Sequence, residues 1–160
     1  MAFKPYFLAL LAEAQGKTGC GEGELTVLDE ALEVVDRTGV RLGEAEIYRL
    51  RGELTLQQQS RERRAESMRQ KSDQPNPYFQ IPYHESEAEA YFLKAIEVAR
   101  RQHAKSWELR AVVSLSRLWQ RQGKKIEAHQ MLSEIYNWFT EGFDTKDLQE
   151  AKVLLEELSH

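Results

Sequence analysis

The sequence predicts an all-α fold, three helical hairpins stacked side by side with one more helix covering the end. Three observations carry that expectation. Ala12, Gly52 and Ser116 are matching small residues in helix-like segments, separated by 40 and then 64 positions. Leu28, Phe92 and Leu132 repeat the steps in the opposite order, 64 and then 40. Both sets therefore describe one 40-residue period, broken by an insert of 24 residues between positions 52 and 88. The third observation is that glycines end the apolar stripes. A period of this size is a helix pair too small to bury its apolar face alone, so neighbouring pairs must stack. The expected layout is a single helical-repeat domain over residues 1–160. Its hairpins lie at about 5–38, 43–102 (with the insert at 57–85) and 105–139, and its last helix at about 145–158.

The first helix is expected from Pro5 to Gln15, where proline suits a first-turn position and Leu8, Leu11 and Ala12 form a stripe. Gly16 and Gly19 end it. Its partner runs from Glu24 to Thr38, burying Leu25, Leu28, Ala31, Leu32 and Val35, with Gly39 as a left-handed cap. The second hairpin opens near Gly43 with Ala45, Ile47, Tyr48, Leu50, Gly52 and Leu54. A glycine inside a helix costs up to about 1 kcal/mol relative to alanine, so Gly52 points to close helix contact. The partner is expected from Ser86 to Gln102, capped by Ser86, with Ala88, Phe92, Ala95, Ile96 and Ala99 buried.

The third hairpin pairs Ser106–Gln122 with Lys125–Phe139 about a turn at Gly123. Leu109, Val112, Leu115, Leu118 and Trp119 stripe its first helix; Ile126, Ala128, Leu132 and Ile135 stripe its second. Trp119 is expected in the core, Trp107 partly exposed, and Trp138 with Phe139 seating the final helix. Asp144 or Thr145 caps that helix, with Leu148, Ala151, Leu155 and Leu158 on its apolar face. Lys146, Glu150, Lys152 and Glu157 face water, as the end of a stack requires.

Composition narrows the function classes. The chain is 41% hydrophobic and 30% charged with a formal net charge of −4, which suits a folded helical protein and provides no overall attraction for nucleic acid or an anionic membrane. No apolar run approaches the roughly 20 residues of a transmembrane helix, and the stretch after Met1 is read as helix rather than signal peptide. Cys20 has no second cysteine to pair with, which fits a cytoplasmic setting.

The same residues resemble a known pattern. Leu115 and Ser116, then Gly123, Ala128, Leu132 and Ile135, look like the tetratricopeptide arrangement of a small residue, a turn glycine and an alanine five residues on. Gly19, Leu28 and Ala31, and Ala88, Phe92 and Ala95, match it in part, although Glu24 stands where the pattern prefers alanine. The longer period resembles the variant repeats of signal-transduction ATPases of the regulator class. Three runs (Ala45–Leu54, Glu87–Lys124 and Trp138–Leu158) are similar to the C-terminal ends of large bacterial predicted ATPases, often fused to class III adenylyl or guanylyl cyclase domains. The resemblance implies a tetratricopeptide-like right-handed solenoid of three hairpins with a C-terminal capping helix. It further implies a non-catalytic protein–protein interaction or scaffold module for sensing or regulation, with no cofactor. The catalytic residues of those ATPases and cyclases have no counterpart here.

By the tetratricopeptide register, the first helix of each hairpin lines a concave face. Glu13, Arg49, Glu53, Arg110, Arg117 and Arg121 fall on it. Arginines converging there would grip a carboxylate or acidic peptide through bidentate hydrogen bonds. The alternative is an ordinary charged surface with partners inside each helix.

The insert reads differently. Through Gln70 it holds good helix formers, including Arg61, Arg63, Arg64 and Arg69, so the preceding helix is expected to overrun into solvent. Beyond it, Pro75, Pro77 and Pro82 argue against a continuous helix. The apolar Tyr78, Phe79, Ile81 and Tyr83 among these prolines suit either a loop tucked on its own stack or a docking segment. The second role would make the chain a self-association module, for example a homodimer.

Signals for chemistry are weak. Gly19-Cys20-Gly21-Glu22-Gly23 imitates a phosphate loop, but the expected element before it is a helix and no lysine–serine or lysine–threonine pair follows. His84, His103, His129 and His160 have no partner at metal-ligand spacing. The carboxylates read as solvated helix faces. No catalytic, cofactor or metal site is expected, and the partner is expected to be a protein or peptide.

Overall fold

A computed structural model describes residues 23–69 and 81–160, and every regular element among them is an α-helix. In chain order these are α1 (Glu24–Thr38), α2 (Glu44–Arg69), α3 (Ile81–Arg101), α4 (Lys105–Arg121), α5 (Lys125–Tyr136) and α6 (Lys146–Leu158). The helix expected at Pro5–Gln15, the glycine-rich run around Cys20, Glu13, Tyr78 and Phe79 all lie outside the described residues.

Each helix packs on its neighbour in the chain, and α2 and α3 share the longest seam. In addition α4 touches both α2 and α6, passing over the helix between. A continuous core follows from these seams. Ala88, Phe92, Ala95 and Ile96 of α3 meet Leu109, Val112, Leu115 and Leu118 of α4, then Ala128, Leu132 and Ile135 of α5, and finally Leu148, Ala151, Leu154 and Leu158 of α6. Leu28, Ala31 and Val35 of α1 close over Ile47, Leu50 and Leu54 of α2. Burying side chains of this size is worth roughly 1.5–3 kcal/mol each, which is what holds helices too short to be stable alone.

Two of the small-residue positions, Gly52 and Ser116, lie at close contacts between helices. Gly52 lies against the ring of Phe92, which is fully buried. One period-plus-insert further on, the buried Ser116 hydroxyl donates to the carbonyl of Ala128 at 3.4 Å. Other local arrangements recur at the same 64-residue offset. Arg41 pairs with the buried Glu44, and Lys105 pairs with the buried Glu108. Gly39 closes α1 in the left-handed region at φ 69°, and His103 follows α3 at φ 55°.

His103 is the one described non-glycine residue in that region. A side chain is strained there, whereas glycine is not. His103→Gly should therefore stabilise the fold by about 0.5–1 kcal/mol, seen as a higher urea midpoint. A lower midpoint would mean that the imidazole makes a compensating contact.

Several expectations need correction. α2 continues to Arg69 and its last turns are exposed as expected, Met68 at 76%, but the near end of the overrun is paired with α3. Glu62 meets His84 at 3.4 Å, Arg63 approaches Glu85 at 4.0 Å, and Gln59 is buried. The second arm of that pairing exists because α3 begins at Ile81, five residues before Ser86. Pro82 is accommodated in the first turn, where its missing N–H has no intrahelical partner to lose. Ser86 thus lies inside the helix, exposed, and caps nothing. The described parts of the insert, 57–69 and 81–85, are therefore extensions of α2 and α3.

Ile126 is 81% exposed, not buried. Two residues turn an α-helix by about 200°, so a stripe through Ala128, Leu132 and Ile135 leaves Ile126 on the opposite side. Trp138 is 58% exposed, because α5 has already ended at Tyr136 and the helical stripe no longer applies. It stands edge-on to Phe139 at 5.2 Å, with the Lys105 ammonium 5.6 Å from its ring. Trp119 is half-buried and its Nε1–H donates to Glu89 at 2.9 Å. Thr145 occupies the cap position of α6, but its hydroxyl donates backwards to Gly142 instead of capping the helix.

Candidate binding face

The mutual packing of α2, α4 and α6 brings one stripe from each helix onto a common face. On α2 the stripe is Glu46, Arg49, Glu53 and Leu56, at steps of three and four residues that keep them on one side. On α4 it is Arg110, Ser114, Arg117 and Arg121. On α6 it is Asp147, Glu150 and Glu157.

The centre of this face is an ionic network, buried at Glu46 and partly exposed at Glu53, Arg110 and Asp147. Glu46 is 2% exposed and accepts two hydrogen bonds from Arg49, from Nε at 2.9 Å and Nη2 at 2.8 Å. It also accepts one from Arg110 Nη1 at 3.1 Å. Arg49 Nη1 donates to Glu53 at 2.6 Å, and the Ser114 hydroxyl donates to the same oxygen at 2.7 Å. Arg110 Nε donates to Asp147 at 2.8 Å. Five charged groups and one hydroxyl thus link α2, α4 and α6 without a break. Burial pulls the Arg110 guanidinium downward. The hydrogen bond with Asp147 and the charges of Glu46 and Asp147 outweigh that, and hold it above the ordinary arginine value.

Of the residues expected to meet a ligand, Arg49, Glu53 and Arg110 are therefore brought together, but as partners of one another. The Arg49 side chain is only 11% exposed, and its ion pairs are with Glu46 and Glu53 of its own helix. Arg117 is different. Its side chain is 51% exposed and its Nη2 donates to Glu150 at 3.0 Å. One turn further on, Arg121 is exposed and makes no ion pair among the described residues. Both arginines line a groove of about 310 Å³ with Glu53, Leu56, Phe92, Ser114 and Gln120. A second groove, of about 400 Å³, continues from Arg117 and Gln120 to Glu150, Val153, Leu154 and Glu157 on α6. Of the insert, Ile81 and Tyr83 fall in the first turn of α3.

Sequence reasoning missed Glu46, Ser114, Asp147 and Glu150. A usable signal was present for the first. Glu46 and Arg110 occupy equivalent repeat positions 64 residues apart, and so do Glu53 and Arg117. The first of these couples forms an ion pair, whereas Glu53 pairs with Arg49 and Arg117 with Glu150.

Elsewhere, the buried Glu108 accepts hydrogen bonds from Arg100 Nε and Lys105 Nζ, both at 2.7 Å. Burial pushes its carboxyl upward, but these two cations prevail and hold it below the usual carboxylate range. That marks it as a tie between α3 and α4, not as an acid poised to give up a proton at neutral pH. Burial, then the nearby Glu44, raise the Tyr48 phenol above its ordinary value. Among the described residues no group of three or more His, Cys, Asp or Glu side chains is placed to hold a metal ion. No helix among them is long and apolar enough to cross a membrane. No family model matches this chain, and no curated protein or solved structure matches it either.

Proposed function

We propose that the chain is a non-catalytic binding module, a tetratricopeptide-like stack of helical hairpins whose inner face receives a carboxylate-bearing segment of a protein or peptide. Support for the stacking comes from the alternation of neighbours. α4 meets α2 and α6 across intervening helices, as the first helices of successive hairpins do in a solenoid. Support for a regulatory setting comes from the similarity of the runs Ala45–Leu54, Glu87–Lys124 and Trp138–Leu158 to the C-terminal ends of bacterial predicted ATPases and cyclase fusions.

The observation that carries the binding reading is the contrast between cations on one face. Arg49 is used up inside the protein, whereas Arg117 and Arg121 present half-exposed and exposed guanidinium groups over an apolar floor provided by the partly exposed Leu56. Planar guanidinium groups one helical turn apart suit the two oxygens of a carboxylate, and the floor suits an apolar side chain next to it. A ligand seated there touches α2 and α4 together and would bias the angle between them, so a binding event could pass to an attached domain.

The test uses a fluorescein-labelled hexaglutamate peptide and fluorescence anisotropy at low salt. Replacing Arg117 and Arg121 with alanine should weaken binding several-fold, roughly tenfold if two charge-assisted contacts of modest strength are lost. The unfolding free energy from urea titration should stay within about 1 kcal/mol of the parent, since both groups are exposed. Affinity unchanged by the double replacement would overturn the reading.

A further inference from the structure

We infer that α6 is a built-in competitor for the arginine groove, its acidic face occupying the cation that an acidic ligand must engage; this rests on the binding reading above. The geometry is a set of rungs of one polarity. Arg110 of α4 donates to Asp147 of α6, Arg117 to Glu150 at 3.0 Å, and Gln120 to Glu157 at 3.4 Å. In every rung the donor is on α4 and the carboxylate on α6. The acidic stripe on α6 thus presents to α4 the same chemistry that an acidic peptide would.

The rungs differ in how readily they exchange. Arg110 is also held by the buried Glu46, which fixes that end. The Arg117–Glu150 pair has no buried member, its side chains being 51% and 37% exposed, and an exposed pair of this kind is weak and easily screened. Leu148, Ala151, Leu154 and Leu158 anchor α6 in the core, so the helix need not leave. Only the Glu150 side chain has to swing aside, and Lys146 at 3.6 Å is ready to receive it. While Glu150 occupies Arg117, the fraction of molecules able to bind is reduced, and the apparent affinity falls in proportion.

Glu150→Gln should therefore bind hexaglutamate about two- to five-fold more tightly than the parent, the range expected from releasing one exposed ion pair. Glu156→Gln removes the same charge from an exposed position on the same helix and is the control for general electrostatics. It should change affinity by less than about 1.5-fold, as a screened distant charge does. An increase confined to Glu150→Gln supports the competitor. Equal affinities for Glu150→Gln and the parent, or equal gains for Glu150→Gln and Glu156→Gln, overturn it while leaving the groove reading standing. If the Arg117→Ala/Arg121→Ala protein binds as well as the parent, or if neither parent nor Glu150→Gln binds the peptide, the groove reading fails and the competitor fails with it.

Discussion

Replacing Gly52 with alanine should destabilise the protein by about 1–2 kcal/mol, although alanine is the better helix former. Alanine would return up to roughly 1 kcal/mol of helix propensity. Against that, a Cβ at this position would sit 2.6 Å from Cε1 and 2.9 Å from Cδ1 of Phe92, closer than carbon atoms can approach. The obstacle is a rigid ring with no exposed surface, in the longest helix seam of the protein, so it cannot swing away. Overpacking of this kind costs about 1–3 kcal/mol, and it outweighs the gain. Gly52→Val should cost more, because it adds bulk and a β-branch. A double-mutant cycle with Phe92→Leu supplies the decisive measurement. Leucine stands at the equivalent positions 28 and 132, and it should relieve most of the overlap. The urea-derived coupling energy should then be favourable by about 1 kcal/mol. A Gly52→Ala protein as stable as the parent would show that α2 and α3 are not held this close.

The second large effect is expected at Glu46. Its carboxylate is 2% exposed and binds both Arg49 and Arg110, so Glu46→Ala leaves a nearly sealed guanidinium short of its main counter-ion. Breaking a buried pair from one side costs about 3–5 kcal/mol, and the surviving Glu53 contact of Arg49 places this case near 3. Asp147→Ala, at the half-exposed rim of the same network, should cost under about 1 kcal/mol. Replacing both partners, as in Glu46→Leu/Arg49→Met, should recover much of the loss, because no uncompensated charge is left inside. Chemical denaturation of the three variants tests this ordering. A loss at Glu46→Ala no larger than at Asp147→Ala would mean that the network is solvated.

These effects show where sequence reasoning reached its limit. The period through Gly52, Ser116, Leu28, Phe92 and Leu132 located the contacts between helices, because only small residues tolerate a close seam and only large ones fill the space opposite. Gly39 was legible as a left-handed cap for a similar local reason. Helix ends were harder to place. Pro82 suggested a break where it in fact occupies a first turn, and Ser86 resembled a cap while lying inside α3. A cap and an interior serine differ only in where the chain before them goes.

The candidate face was legible as a set of positions and illegible as a set of states. Arg49, Arg110, Arg117 and Arg121 look alike in one dimension. In three dimensions Arg49 is a largely covered partner of Glu46 and Glu53, Arg110 a bridge, Arg117 a half-exposed cation under Glu150, and Arg121 an exposed one.

By itself the sequence determined that the described residues form helices, because apolar periodicity, small-residue spacing and glycine stops are local properties read along the chain. Only the tertiary structure decided which charges neutralise one another. The partners of Glu46 on α4 and of Glu150 on the same helix are 64 and 33 residues away, and their distance and dielectric surroundings exist only once the helices are stacked.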